Sequence, residues 1–114
     1  MRNGEKIKVT FPDGKERYAV FSWASIDYIL NKYESMGEAY TLMAALTSGP
    51  MGITKQTMAA LIDFLVALFI DSDEKLTPKE MKKLVPYEEV GKFCELVKMA
   101  VNAGSVEAEG NPTM

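Results

Sequence analysis

Histidine is absent from the 114 residues of this chain, and cysteine occurs once, at Cys94. The first absence removes the commonest general base and the commonest neutral metal ligand. The second rules out an intramolecular disulfide. No basic run is longer than the pair Lys82-Lys83, so there is no phosphate-tracking stripe and nucleic-acid binding is not expected. Long apolar runs are missing as well. The longest, Met58 to Ile70, is broken by Asp63 and falls short of the roughly 20 residues needed to span a bilayer, so no membrane association is expected. Met1-Arg2-Asn3-Gly4 does not lead into an apolar segment, so no signal peptide is expected and the reducing cytosol is the expected compartment. A glycine-rich phosphate loop and a serine elbow are also missing, and neither enzymatic activity nor a cofactor is expected.

What is present is ordinary globular material. Apolar residues make up 47% and charged residues 25% of the chain, with 13 basic and 16 acidic side chains and a net charge of −3. Length and composition fit one domain, placed at residues 1–104, with one buried core.

Residues 6–21 read as a β-hairpin. Ile7, Val9 and Phe11 alternate with Lys8 and Thr10, and Tyr18 and Val20 alternate with Arg17 and Ala19. A four-residue loop, Pro12 to Lys15, sets Val9 opposite Tyr18 and Ile7 opposite Val20 and gathers the apolar residues on one face. A three-residue loop would set Val9 opposite Arg17 and mix the faces. The even loop is therefore the expected one.

Helical periodicity follows. Helices are expected at about 22–33, 38–47, 55–70, 78–84 and 87–102, giving an α+β, helix-dominated fold of an N-terminal hairpin and four to five helices. Ser22 or Ser25 caps the first and Thr54 the third. Gly37 separates the first two, and Thr77-Pro78-Lys79-Glu80 is a capping box with proline at the first helical position. Gly104 is expected to end the last helix, leaving 105–114 as a disordered acidic tail.

Three features invite a chemical reading. Asp71-Ser72-Asp73-Glu74-Lys75-Leu76 begins like a calcium loop, but Leu76 replaces the sharp-turn glycine and Lys82 replaces the bidentate glutamate, so a solvated polar turn is expected and no metal. Cys94 falls on the apolar side of the last helix and reads as a buried structural thiol. The helix at 55–70 carries Gln56, Ala59, Ala60, Asp63 and Ala67 on one narrow stripe, with large apolar residues over the rest. It reads as the central core helix. Met58, Leu61, Leu65 and Phe69 are the candidate partner-binding residues, on the reading that this part of the face is covered when a partner helix docks. Eight methionines, among them Met36, Met43, Met51, Met58, Met81 and Met99, suit surfaces that repack around varied apolar ligands or serve as core filler.

The order of elements resembles a known family. Lys6 to Trp23, with its Pro12-Asp13-Gly14-Lys15 turn, runs into Ala24-Ser25-Ile26-Asp27-Tyr28-Ile29-Leu30. A break at Gly37, two further helices, Leu76-Thr77-Pro78-Lys79-Glu80-Met81 and a final amphipathic helix follow. This layout, over about residues 6–103, resembles the tail assembly chaperones of long-tailed bacteriophages and of related gene transfer agents. The resemblance implies a non-catalytic protein of the host bacterial cytoplasm that binds and solubilises the tape measure protein and is absent from the mature virion. It also implies self-association and, where a frameshifted longer form is made, recruitment of tail tube protein. The competing expectation is a small structural phage protein or adaptor that binds another protein through apolar helix faces. A small enzyme or a calcium sensor ranks below both.

Overall fold

The structure is a computed structural model that describes residues 6–71 and 76–109. Strands β1 (Lys6–Thr10) and β2 (Glu16–Val20) form an antiparallel hairpin. Five α-helices follow: α1 (Trp23–Leu30), α2 (Met36–Ala44), α3 (Lys55–Leu68), α4 (Pro78–Leu84) and α5 (Val90–Glu109). Short 3-10 turns at Ala45–Thr47 and Pro50–Gly52 join α2 to α3, and another at Tyr87–Glu89 leads into α5. The fold is α+β and helix-dominated.

The hairpin register differs from the expected one. Val9 pairs with Arg17, Ile7 with Ala19 and Lys6 with Val20. The Phe11 amide donates to the Lys15 carbonyl at 3.0 Å and the Gly14 amide to the Phe11 carbonyl at 2.9 Å, so the loop proper is Pro12-Asp13-Gly14. Asp13 keeps a negative φ while Gly14 sits at φ +86°, the pattern of a type I turn followed by a left-handed glycine bulge. This three-residue loop turns Arg17 inward, and the loop itself supplies the compensation. Arg17 Nη2 lies 3.1 Å from Asp13 Oδ2, and its guanidinium stacks 4.7 Å from the Phe11 ring centroid. An arginine held by a carboxylate and an aromatic face loses far less on burial than a bare charge. Val9, Phe11 and Ala19 share its face, while Lys8, Thr10, Glu16 and Tyr18 face solvent.

Caps set the helix starts. The Ser22 hydroxyl accepts the Ser25 amide at the head of α1, and the Ser35 hydroxyl accepts the Glu38 amide at the head of α2. The break between these helices therefore spans Asn31–Ser35 and not Gly37, which is the second residue of α2. Ser35 satisfies an orphan amide, and that outweighs the modest helical cost of glycine. At Thr77 both halves of the capping box form, with Thr77 N–H to Glu80 Oε1 at 2.9 Å and Glu80 N–H to Thr77 Oγ1 at 3.1 Å, and α4 keeps its expected bounds.

α3 is the hub and packs against each of the other helices. It ends at Leu68 instead of Ile70, as Phe69 donates back three residues to Val66 in a tightened last turn. Phe11 of the hairpin meets Phe69 at 5.4 Å and Phe93 of α5 at 5.5 Å between ring centroids. Tyr40 of α2 meets Phe64 edge-on at 6.4 Å. α5 begins after the 3-10 turn and continues through Gly104 to Glu109 rather than stopping at about 102. One glycine inside a helix costs only about 1 kcal/mol relative to alanine. Ser72 to Lys75, most of the calcium-loop comparison, and residues 110–114 of the acidic tail lie outside the described residues. Among the described residues, no helix is long and apolar enough to cross a membrane.

Candidate functional site

Of the four candidate partner-binding residues, Leu61, Leu65 and Phe69 are completely buried within the single chain. α1, α2, α4, α5 and the hairpin close over α3 from several sides, so this stripe is core and not a waiting face. Met58 alone is half-exposed. The open side of α3 is elsewhere. Lys55, Gln56 and Ala59 in its first turns are exposed, and Asp63 is half-buried. The narrow stripe of small and polar residues marks that side, although its members Ala60 and Ala67 are buried.

Two grooves flank this half of α3 and share Ala59 as their common ridge. The first, of about 980 Å³, runs between α1, α2 and α3, with Leu30, Tyr33, Glu38, Leu42 and Gln56 in its walls. At its back the Tyr33 hydroxyl donates to Asp63 Oδ2 at 2.7 Å. Burial, reinforced by that bond and the Asp63 charge, pushes the Tyr33 hydroxyl far above its usual value. Burial chiefly, with the same carboxylate, raises Tyr28. Both phenols stay protonated, and Tyr33 acts as a structural tie between the turn after α1 and α3. Gly37 joins this groove to a smaller one of about 300 Å³ between the start of α2 and Val101 of α5.

The second groove, of about 500 Å³, lies between α3 and α4. Ile53, Met58, Ile62 and Val85 form its floor, and Lys55 and Lys82 stand beside it. Sequence reasoning picks out Met58 but misses the others. The groove arises where the end of α4 meets the start of α3, a juxtaposition that no local pattern encodes.

No family model, curated protein or solved structure matches the chain.

The remaining reactive side chains are committed to structure. The Cys94 thiol is buried, and burial raises its pKa, which disfavours the nucleophilic thiolate. The buried Ser25 hydroxyl lies 2.7 Å from the Ala67 carbonyl and 3.1 Å from the Val20 carbonyl, tying α1 to α3 and the hairpin. Asp71, expected in a solvated turn, accepts the Ser22 hydroxyl at 2.6 Å and fastens the end of α3 to the cap of α1. Among the described residues, no group of three or more potential ligands is arranged to hold a metal ion. The methionines divide by role. Met43 and Met81 fill the core, while Met51 and Met99 are exposed, Met51 at 94% of its surface.

Proposed function

We propose that the chain is a tail assembly chaperone that holds the tape measure protein soluble in the host cytoplasm and leaves before the virion is complete. Two features support the reading: the hairpin-and-helices layout, and apolar surface at grooves beside a sealed core. The observation that carries it is the Met58 groove. A polarizable, unbranched side chain there lies between two isoleucines and a valine, a floor that can repack around different apolar segments. Docking at this site replaces the docking face that helical periodicity suggests along Leu61, Leu65 and Phe69. Release needs no nucleotide, because polymerisation of the tube around the tape measure can displace the chaperone. Self-association and recruitment of tail tube protein by an extended form belong to the same proposal.

The tape measure gene is expected immediately downstream, and coexpression with its product tests the reading. The expected result is a soluble complex that survives gel filtration, together with absence of this chain from purified particles by mass spectrometry. A chain recovered as a monomer that leaves the tape measure protein insoluble would overturn the proposal. Its presence at stoichiometric level in finished particles would favour a structural adaptor instead.

A further inference from the structure

The charges around the second groove are not shared by the first. Lys55 of α3 and Lys82 of α4 line it, and both are exposed. Lys79, one turn earlier on α4, and Lys83 are exposed as well. Among the described residues, Lys55, Lys79 and Lys82 make no ion pair. A chain with a net charge of −3 thus places two cations without ion-pair partners, Lys55 and Lys82, in the lining of one apolar trough. The first groove instead mixes Lys32 with Glu34 and Glu38. Uncompensated lysines at the rim of an apolar floor select among partners of equal hydrophobicity, favouring carboxylates and repelling cations.

We infer that the groove floored by Ile53, Met58, Ile62 and Val85 docks an amphipathic helical segment of a partner protein whose apolar stripe is flanked by aspartate or glutamate. The floor takes the apolar side chains spaced at helical intervals, as helix-in-groove recognition requires. Lys55 approaches the flanking carboxylates from α3, and Lys82 approaches them from α4. The inference deepens the chaperone reading, on which it rests for the existence of a partner, by stating the chemistry of the bound segment.

A synthetic peptide of about 18 residues, roughly five helical turns, with leucines along one stripe and glutamates beside them, is the probe. Its twin carries lysine at every glutamate. Fluorescence anisotropy on the full chain should give the acidic peptide at least about tenfold tighter binding than the basic twin, with the preference weakening as salt rises. The double variant Lys55→Glu, Lys82→Glu alters two exposed side chains and should melt like the parent. It should also abolish or reverse the preference. Chemical-shift changes caused by the acidic peptide should centre on the Met58 methyl and the Ile53 and Ile62 methyls. Equal binding of the twins, a preference that survives the double variant, or shifts centred on Leu30 and Leu42 of the first groove would each overturn the inference.

The two proposals fail separately. Copurification of the tape measure protein without any acidic preference would refute the groove inference and keep the chaperone reading. Acidic-peptide binding at Met58 by a chain that ignores the tape measure protein would do the reverse.

Discussion

α3 changes character at Asp63. From Phe64 to Phe69 every side chain is buried, whereas Lys55, Gln56 and Ala59 are exposed and Met58 is half-exposed. The sealed half is enclosed by Phe11 against Phe69, by Tyr40 against Phe64 and by the Ser25 hydroxyl on the Ala67 carbonyl. The open half has a groove on each side. A helix apolar around most of its circumference therefore divides along its length as well as around it. One half fixes the architecture, and the other carries the grooves at which docking is proposed.

The sharpest way to break this comparison is to place the same charge in each half. Leu65→Asp puts a carboxylate where no surface is exposed, and an unpaired buried charge costs several kcal/mol, about 3–5 once relaxation is allowed. It should abolish the folded far-ultraviolet circular dichroism spectrum and the cooperative melt. Ala59→Asp, at the exposed ridge between the grooves, should keep both and shift stability by no more than about 1 kcal/mol. If both variants fold, or both unfold, the division of α3 is wrong.

A second pair of substitutions probes how the open half is anchored. A methyl group added at Gly52 would run into the Ala45 carbonyl oxygen, and the Gly52 carbonyl also accepts the Thr57 hydroxyl at 2.8 Å. Gly52→Ala should destabilise by about 1–3 kcal/mol, because backbone must move to admit it. Gly91, on an exposed turn of α5, has open space where a methyl group would go, with nothing within 4 Å. Gly91→Ala should stabilise by about 0.5–1 kcal/mol through helix propensity. Urea unfolding midpoints should thus move in opposite directions for two formally identical changes.

Tyr33→Phe acts at the boundary itself. It removes the 2.7 Å bond to Asp63 and leaves the carboxylate with one partner fewer, at a cost of about 1–3 kcal/mol, toward the lower end because the site is only half-buried. The melting temperature should fall while the core aromatic signals of Phe64 and Phe69 stay in place. A rearranged core would mean that this tie organises the sealed half too.

Much of the fold is legible locally and the site is not. The start of α4 follows from Thr77, Pro78 and Glu80, which sit within four consecutive residues, and its end from Pro86 two residues beyond Leu84. The start of α3 follows from Thr54 for the same reason, whereas for α1 the sequence leaves Ser22 and Ser25 as alternatives and the structure selects Ser22. The hairpin strands are legible from alternation, but their register is not. Alternation counts Arg17 as a solvent residue, while Asp13 and Phe11 make its burial tolerable. Gly37 looks like the breaker between α1 and α2, yet the Ser35 cap decides where α2 begins. The Met58 groove depends on Val85 and Lys82 reaching Ile53 and Ile62, a tertiary contact that neither segment encodes alone.

The smallest effect belongs to the hairpin that covers the sealed half of α3. The hydrogen bond from Arg17, and next the Lys15 amide, hold the Asp13 carboxyl below its ordinary value of 3.8. A carboxyl whose folded pKa is depressed stabilises the fold in its charged form. That contribution is complete above the unfolded value and is lost as pH falls through the folded one. Asp13→Asn keeps the turn-forming shape but cannot ionise, so it should be less stable than the parent near neutral pH. The gap between the two should hold down to about pH 4 and close below it, as the parent's carboxyl protonates. Urea midpoints compared from about pH 7 to about pH 2 will measure it. A gap that persists unchanged in acid would mean that the Asp13 charge contributes nothing and that Arg17 owes its burial to the Phe11 ring alone.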